Sequence, residues 1–146
     1  MSRAFVKDDD GGPEREFERP VSDAPNYVTP HGLELLREAL ARVEHDNDGR
    51  EARYYRERVD SAIVIDIAKQ PRGVVAFGAS VDAHDQSGKK LHVRIVGEDE
   101  ADPVHGTISW ESPVARALMD HAVGERVVVV RPAGPIEYTI DAVAYG

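Results

Sequence analysis

No cysteine occurs among the 146 residues. Disulfides, thiolate nucleophiles and cysteine-type zinc sites are excluded together, and the composition agrees with a reducing compartment. Positive charge is also scarce: 18 Lys and Arg stand against 27 Asp and Glu, for a formal charge of −9. Non-specific binding to DNA or RNA needs clustered cations that displace counterions from phosphates, so no direct nucleic-acid binding is expected. An acidic chain working near nucleic acid would act through a protein partner with a basic surface. No run approaches the ~18 apolar residues of a membrane span. The opening MSRAFVKDDDGG lacks the apolar core of a secretory signal. The expectation is a soluble, cytoplasmic monomer with no cofactor and no membrane contact.

Phosphate-cradling glycine loops are missing too, since neither GxxxxGK[ST] nor GxGxxG occurs. The six histidines show no HxxxH spacing, and no metal site is predicted from them.

What is present divides into three stretches. Residues 1–26 mix acids, Arg, Gly and Pro without periodicity and read as a disordered tail. A short docking arm at Arg3–Lys7 is the alternative. From Tyr27 to residue 67 the period is helical. Thr29 before Pro30 is a helix start, with an N-cap followed by proline in the first turn. Leu33, Leu36, Leu40 and Val43 then recur at three, four and three. HDNDG breaks the pattern, and Ala52, Tyr55, Val59 and Ala62 repeat it. Two matching seams around a polar turn predict a short antiparallel helical hairpin, with arms of about 21–24 Å at 1.5 Å per residue.

The run Ile63–Ile67 leads onto residues 73–146, where the period becomes that of strands. Gly73–Phe77, Ala79–Ala83, Leu91–Val96, Thr107–Trp110, Arg126–Arg131 and Glu137–Val143 are the predicted strands, with a helix at about Pro113–His121. The fold class is α+β: a hairpin in front of a mostly antiparallel sheet domain with one short helix.

Three places could carry chemistry. Glu98, Asp99, Glu100 and Asp102 follow a strand end among Gly and Pro, which predicts an exposed structural or recognition loop rather than an acid–base pair in a cleft. The turn EHDNDGRE offers Glu44, Asp46 and Asp48 before Gly49, but Tyr55 stands where a calcium loop needs its bidentate Glu. A solvated helical turn is the reading there, with a weak or partner-completed Mg²⁺ site as the alternative. Ser112–Pro113 is a second N-cap with proline after it, leaving Pro113, Val114 and Arg116 available for contact. Trp110 shares a pleat face with Ile108 and reads as core or rim.

The stretches GVVAFGASVDAHD, RIVGEDEADPVHGTISWESPVARAL and GERVVVVRPAGPIEYTIDAV resemble, in that order, the C-terminal domain of the bacterial Gre transcript-cleavage factors. The resemblance implies an FKBP-like sheet domain that docks at the rim of the RNA polymerase secondary channel. Ser109, Trp110, Ser112, Pro113, Val114 and Arg116 are the polymerase-contact candidates. In the family a long coiled coil enters the channel, and acids at its tip help hold Mg²⁺. Here the family's tip wording is absent and each arm is about half as long, which leaves the turn roughly 20–25 Å short at 1.5 Å per residue. Asp46, Asp48 and Glu51 are therefore hairpin-tip candidates with no catalytic role and no metal.

A shortened hairpin on a Gre-like domain is similar to the Rnk group. The resulting expectation is a non-enzymatic regulator that binds RNA polymerase, competes with other channel-binding factors and does not promote cleavage. The alternatives are a Gre-type factor that stimulates cleavage of backtracked RNA, a nucleotide-kinase regulator, and a prolyl isomerase. The last would need an aromatic-lined pocket, for which residues 73–146 supply Phe77, Trp110, Tyr138 and Tyr145.

Overall fold

The computed structural model describes residues 19–146. The expected docking arm at Arg3–Lys7 lies outside the described residues, as does most of the expected tail. Within residues 19–26, Arg19 stacks on Tyr54 and Asn26 is buried.

The hairpin forms where its caps dictate. Thr29 Oγ1 accepts from the amide of Gly32 at 2.9 Å and starts α1 (Pro30–His45), with Pro30 in a turn that needs no amide. Asn47 takes a left-handed φ of 59°, which asparagine tolerates better than most residues. Asp48 then caps α2 (Gly49–Ser61), accepting from the amide of Glu51 at 3.2 Å. Arms of 16 and 13 residues are about 24 and 20 Å long. Leu36 and Ala52 of the predicted seams are buried, and the other seam residues are half-buried.

Two strands of two residues each flank the hairpin, β1 (Tyr27–Val28) and β2 (Ile63–Val64). They pair in parallel, Tyr27 opposite Ile63 and Val28 opposite Val64. Ile63 N donates to Asn26 O at 2.8 Å and Ile65 N to Val28 O at 3.0 Å. Segments this short carry no readable periodicity, so only the apolar character of Ile63–Ile67 was visible in the sequence.

The sheet has five strands: β3 (Ser80–Asp85), β4 (Lys90–Val96), β5 (Thr107–Ser109), β6 (Arg126–Val129) and β7 (Ile136–Ala144). Their order is β5-β4-β3-β7-β6, and every neighbouring pair is antiparallel except β4 with β5. The predicted strand at Gly73–Phe77 is not formed. It makes one bridge, Val74 with Ala122, although Val75 and Phe77 are buried. Gly73 and Gly78 bound it with φ of 78° and 91°. At Gly78 a Cβ would collide with Ile67 Cδ1, so the linker from the hairpin lies directly on this glycine.

α3 (Pro113–Leu118) is shorter than predicted and stops before Asp120, whose φ is 70°. Its Ala115 and Leu118 close the core over Val75, Val81, Val93, Ile95, Val127 and Ile140. Each large aliphatic side chain fully buried there contributes roughly 1.5–3 kcal/mol relative to exposure. No helix among the described residues is long and apolar enough to cross a membrane.

Candidate functional site

At the hairpin tip the acids close the backbone. Asp46 ends α1, its amide donating to Arg42 O at 3.0 Å while its side chain stays exposed. The Asp48 carboxylate is committed to the α2 cap. Glu51 accepts from Arg19 Nη1 at 2.9 Å, and Glu44 from Arg56 Nη2 at 3.0 Å across the hairpin. Among the described residues no three His, Asp or Glu side chains are grouped to hold a metal ion.

The corner between β5 and α3 is built by small hydroxyls. Ser109 Oγ accepts from the amide of Glu111 at 3.1 Å, and Ser109 O accepts from the amide of Ser112 at 2.9 Å. Ser112 Oγ then caps α3, accepting from the amide of Ala115 at 3.3 Å. This turn leaves Pro113 and Arg116 exposed, with Ser109, Ser112 and Val114 half-buried. Arg116 reaches Glu111 only at 3.8 Å, so its guanidinium is loosely held.

Trp110 points inward. Its ring meets Tyr27 edge-on, centroids 5.0 Å apart, and Tyr27 in turn lies 6.1 Å from Phe77. Trp110 Nε1 is buried without a hydrogen-bond partner. Of the six contact candidates, Trp110 thus belongs to the joint beneath the surface, and Pro113 and Arg116 form its most accessible part.

The joint between hairpin and sheet overturns one expectation. Asp99 and Glu100 are not exposed loop charges. Arg58, 2% exposed, donates from Nε to Asp99 Oδ2 at 2.6 Å and from Nη2 to Asn26 Oδ1 at 2.7 Å. Asn26 Nδ2 returns bonds to Arg58 O at 2.8 Å and Ser61 Oγ at 3.2 Å. The Tyr54 hydroxyl donates to Asp99 Oδ1, and Thr29 Oγ1 donates to Glu100 Oε1 at 2.6 Å. A guanidinium removed from water needs a nearby countercharge and acceptors for its remaining donors; the loop supplies the charge through Asp99, and Asn26 accepts from Nη2.

Burial, and then the hydrogen bond to Asp99 and its charge, push the Tyr54 hydroxyl up to about 12. The backbone is equally close: a Cβ on Gly97 would collide with the carbonyl oxygen of Tyr27. Only Asp102 keeps the expected exposure, where it meets His105 Nδ1 at 2.6 Å. The network has the chemistry of a clamp that fixes one element on another.

Sequence reasoning missed Arg58 and Asn26. A signal was present, since Arg58 lies three residues after Tyr55 and four before Ala62, on the apolar stripe of α2. A cation on a buried stripe calls for a distant acid, and Glu98–Asp102 was the available cluster.

With this geometry in view, comparison with known proteins is specific. Residues 70–145 match the family described as "Transcription elongation factor, GreA/GreB, C-term". Transcription elongation factor GreA of Anaeromyxobacter sp. (strain K) is 48% identical over 88 residues, which is 60% of this chain and 53% of that protein. Transcription elongation factor GreB of Pasteurella multocida (strain Pm70) is 35% identical over 124 residues, covering 85% of this chain and 72% of that one. The chain spans about half the length of the GreA proteins it matches. Among solved structures, a GreA/GreB factor from Nitrosomonas europaea is 23% identical with a TM-score of 0.47, covering 82% of this chain and 99% of its own. GreA factor homolog 1 of Thermus thermophilus is 21% identical with a TM-score of 0.45, covering 83% and 99%.

Proposed function

The chain belongs to the GreA/GreB family of transcription elongation factors, and we propose that it binds RNA polymerase as a non-enzymatic regulator in the cytoplasm. The sheet domain docks at the rim of the secondary channel through the corner around Ser109–Arg116, with Pro113 and Arg116 outermost. The hairpin occupies the channel mouth and excludes other factors that use the same opening. The observation that carries this reading is the family match over residues 70–145, which contains the whole corner. The net charge of −9 suits a basic rim and speeds encounter.

The proposal that the protein leaves backtracked RNA uncut rests on the short arms. Asp48 and Glu51 are already engaged in a cap and an ion pair, and arms of 16 and 13 residues reach only about 24 and 20 Å. A second reading, stimulation of cleavage, is favoured by the naming of the relatives as GreA and GreB elongation factors.

Two measurements decide between them. Binding to core polymerase, followed across salt concentrations, should be present at low salt and weakened by Pro113→Ala with Arg116→Ala. No binding at any salt removes the docking proposal. Added to backtracked complexes, the protein should leave RNA length unchanged. Shortened RNA that depends on Asp46 and Asp48 establishes the second reading instead.

A further inference from the structure

The sheet ends on β6, which among the described residues pairs with β7 alone. Gly124 N donates to Ile140 O at 2.8 Å and Ile140 N to Glu125 O at 2.9 Å, which sets the alternation that follows. Val127 and Val129 turn their backbone groups to β7, opposite Tyr138 and Ile136. Arg126, Val128 and Val130 turn theirs to the outer edge. The side chains of these same three residues face solvent, with Val128 55% and Val130 76% exposed, while Val127 and Val129 belong to the core. Folded proteins ordinarily blunt such an edge with charge, proline or a bulge. Nothing of that kind interrupts Val127–Val130.

The edge is complementary to itself. Laid antiparallel about Val128, a second copy sets Val128 against Val128, Arg126 against Val130 and Glu125 against Arg131. Every outward residue then faces an outward residue, for roughly six backbone hydrogen bonds. A shift of two residues sets Val130 against Gly124, whose amide is already given to Ile140, or Arg126 against Pro132, which has none. A shift of one turns the wrong backbone groups together. One register is therefore selected. Charge agrees with it. Both bonds that Glu125 accepts, from His121 Nδ1 and the Ala122 amide, use Oε1, so Oε2 remains for a guanidinium. Arg131 commits Nε to Gly134 O at 3.0 Å and keeps both Nη groups. The chain, with its charge of −9, thus meets its copy at a segment holding two bases and one acid.

We propose that β6 pairs antiparallel with β6 of a second copy about a two-fold axis at Val128, joining the two sheets into one. An edge this short falls below the roughly 1,200–2,000 Å² of a stable interface, so the pair forms and parts with concentration. The expected monomer is its dilute form. β5, which leads into the corner of Ser109–Arg116, lies at the opposite end of the strand order. The pairing stands independently of polymerase docking.

The absence of cysteine makes the register readable in the full chain. Val128→Cys places two sulfurs at the axis, where paired Cα atoms about 5.5 Å apart lie within disulfide range. Under mild oxidation it should form a disulfide dimer about tenfold faster or more than a collisional control, because pairing raises the effective concentration. The control is Val104→Cys, between β4 and β5 at a position 89% exposed. Arg126→Cys or Val130→Cys alone should stay slow, since each lies about 13 Å from its own copy. A mixture of the two should cross-link. Adding Val128→Pro to both removes an outward amide, leaves the β7 ladder whole and should return the mixture to the slow rate. Val128→Lys, which opposes two ammonium groups at the axis, should do the same. Unchanged amide signals of β3 and β4 are the check on folding for both. In hydrogen exchange, the amides of Arg126, Val128 and Val130 should gain protection as concentration rises, and those of Val127 and Val129 should not change. Protection of the outward amides at every dilution means that one molecule covers its own edge, and overturns the proposal. Equal rates for Val128→Cys and Val104→Cys, or fast cross-linking of Arg126→Cys alone, do so too. Protection that arises only with added core polymerase assigns the edge to a protein partner and rejects the second copy.

Discussion

The two ends of the hairpin use the same chemical groups for different ends. At the tip, Asp48, Glu51, Glu44, Arg19 and Arg56 make pairs in or near water, and each is local to the hairpin or to the segment beside it. At the root, Arg58, Asp99, Asn26, Thr29 and Glu100 join positions 32 to 71 residues apart in a site from which water is largely removed. A carboxylate at the tip can be replaced by water with little loss. One at the root cannot, because its partner would be left charged and buried. Burial, more than residue type, decides which acids hold the molecule together.

The largest effect should come from splitting the root pair. Arg58→Met or Asp99→Leu alone leaves a buried charge without its counterpart and should cost about 3–5 kcal/mol in urea unfolding. The double variant should recover much of that loss. Simple addition of the two losses would mean the groups do not act as a closed pair.

Gly97→Ala tests the same joint through the backbone. The new methyl must push Tyr27 away, at a cost of about 1–3 kcal/mol. Tyr27 lies against Trp110, so the single tryptophan should report the shift in its fluorescence. An unchanged spectrum with unchanged stability would show that the two backbone segments part freely.

At the tip, Asp48→Ala removes a cap and should cost about 1 kcal/mol. Faster hydrogen exchange should be confined to the first turn of α2. Exchange spreading to the sheet would erase the contrast between the ends.

Tyr54 connects the root to pH, more weakly because it is only partly buried. Its hydroxyl titrates higher in the folded protein, near 12, than the ordinary 10.0. The folded state therefore holds this proton more tightly. The contribution is complete below pH 10 and is lost as pH rises from 10 towards 12. Tyr54→Phe should remove this component of the alkaline loss measured by thermal unfolding. Smallest of all, Glu51→Gln breaks a pair whose side chains are 31% and 43% exposed, and should change stability by about 0–1 kcal/mol.

The sequence made the caps and periods legible because each is written within a few residues. Thr29–Pro30, Ser112–Pro113 and the seams of the hairpin appear where their spacing put them. The sheet was largely readable for the same reason, with Val81, Ala83, Val93 and Ile95 alternating inward. What escaped was made by distance along the chain. The strand predicted at Gly73–Phe77 fails because its apolar residues are buried by packing and not by a ladder. The loop at Glu98–Asp102 has the composition of a solvated turn, and only the fold reveals that Arg58 waits above it. Of the candidate site, the corner's turn chemistry was readable from Ser112–Pro113, whereas the inward set of Trp110 depends on Tyr27, 83 positions earlier.

The parallel pairing of Tyr27–Val28 with Ile63–Val64 has one more consequence. Everything from α1 to α2 is an excursion whose two feet stand on adjacent stones. Whole helical turns could be spliced into or out of both arms together while the footing stayed put. The platform beneath would not register the change. An architecture of this kind lets the depth a probe can plumb be altered independently of the grip by which its owner holds on.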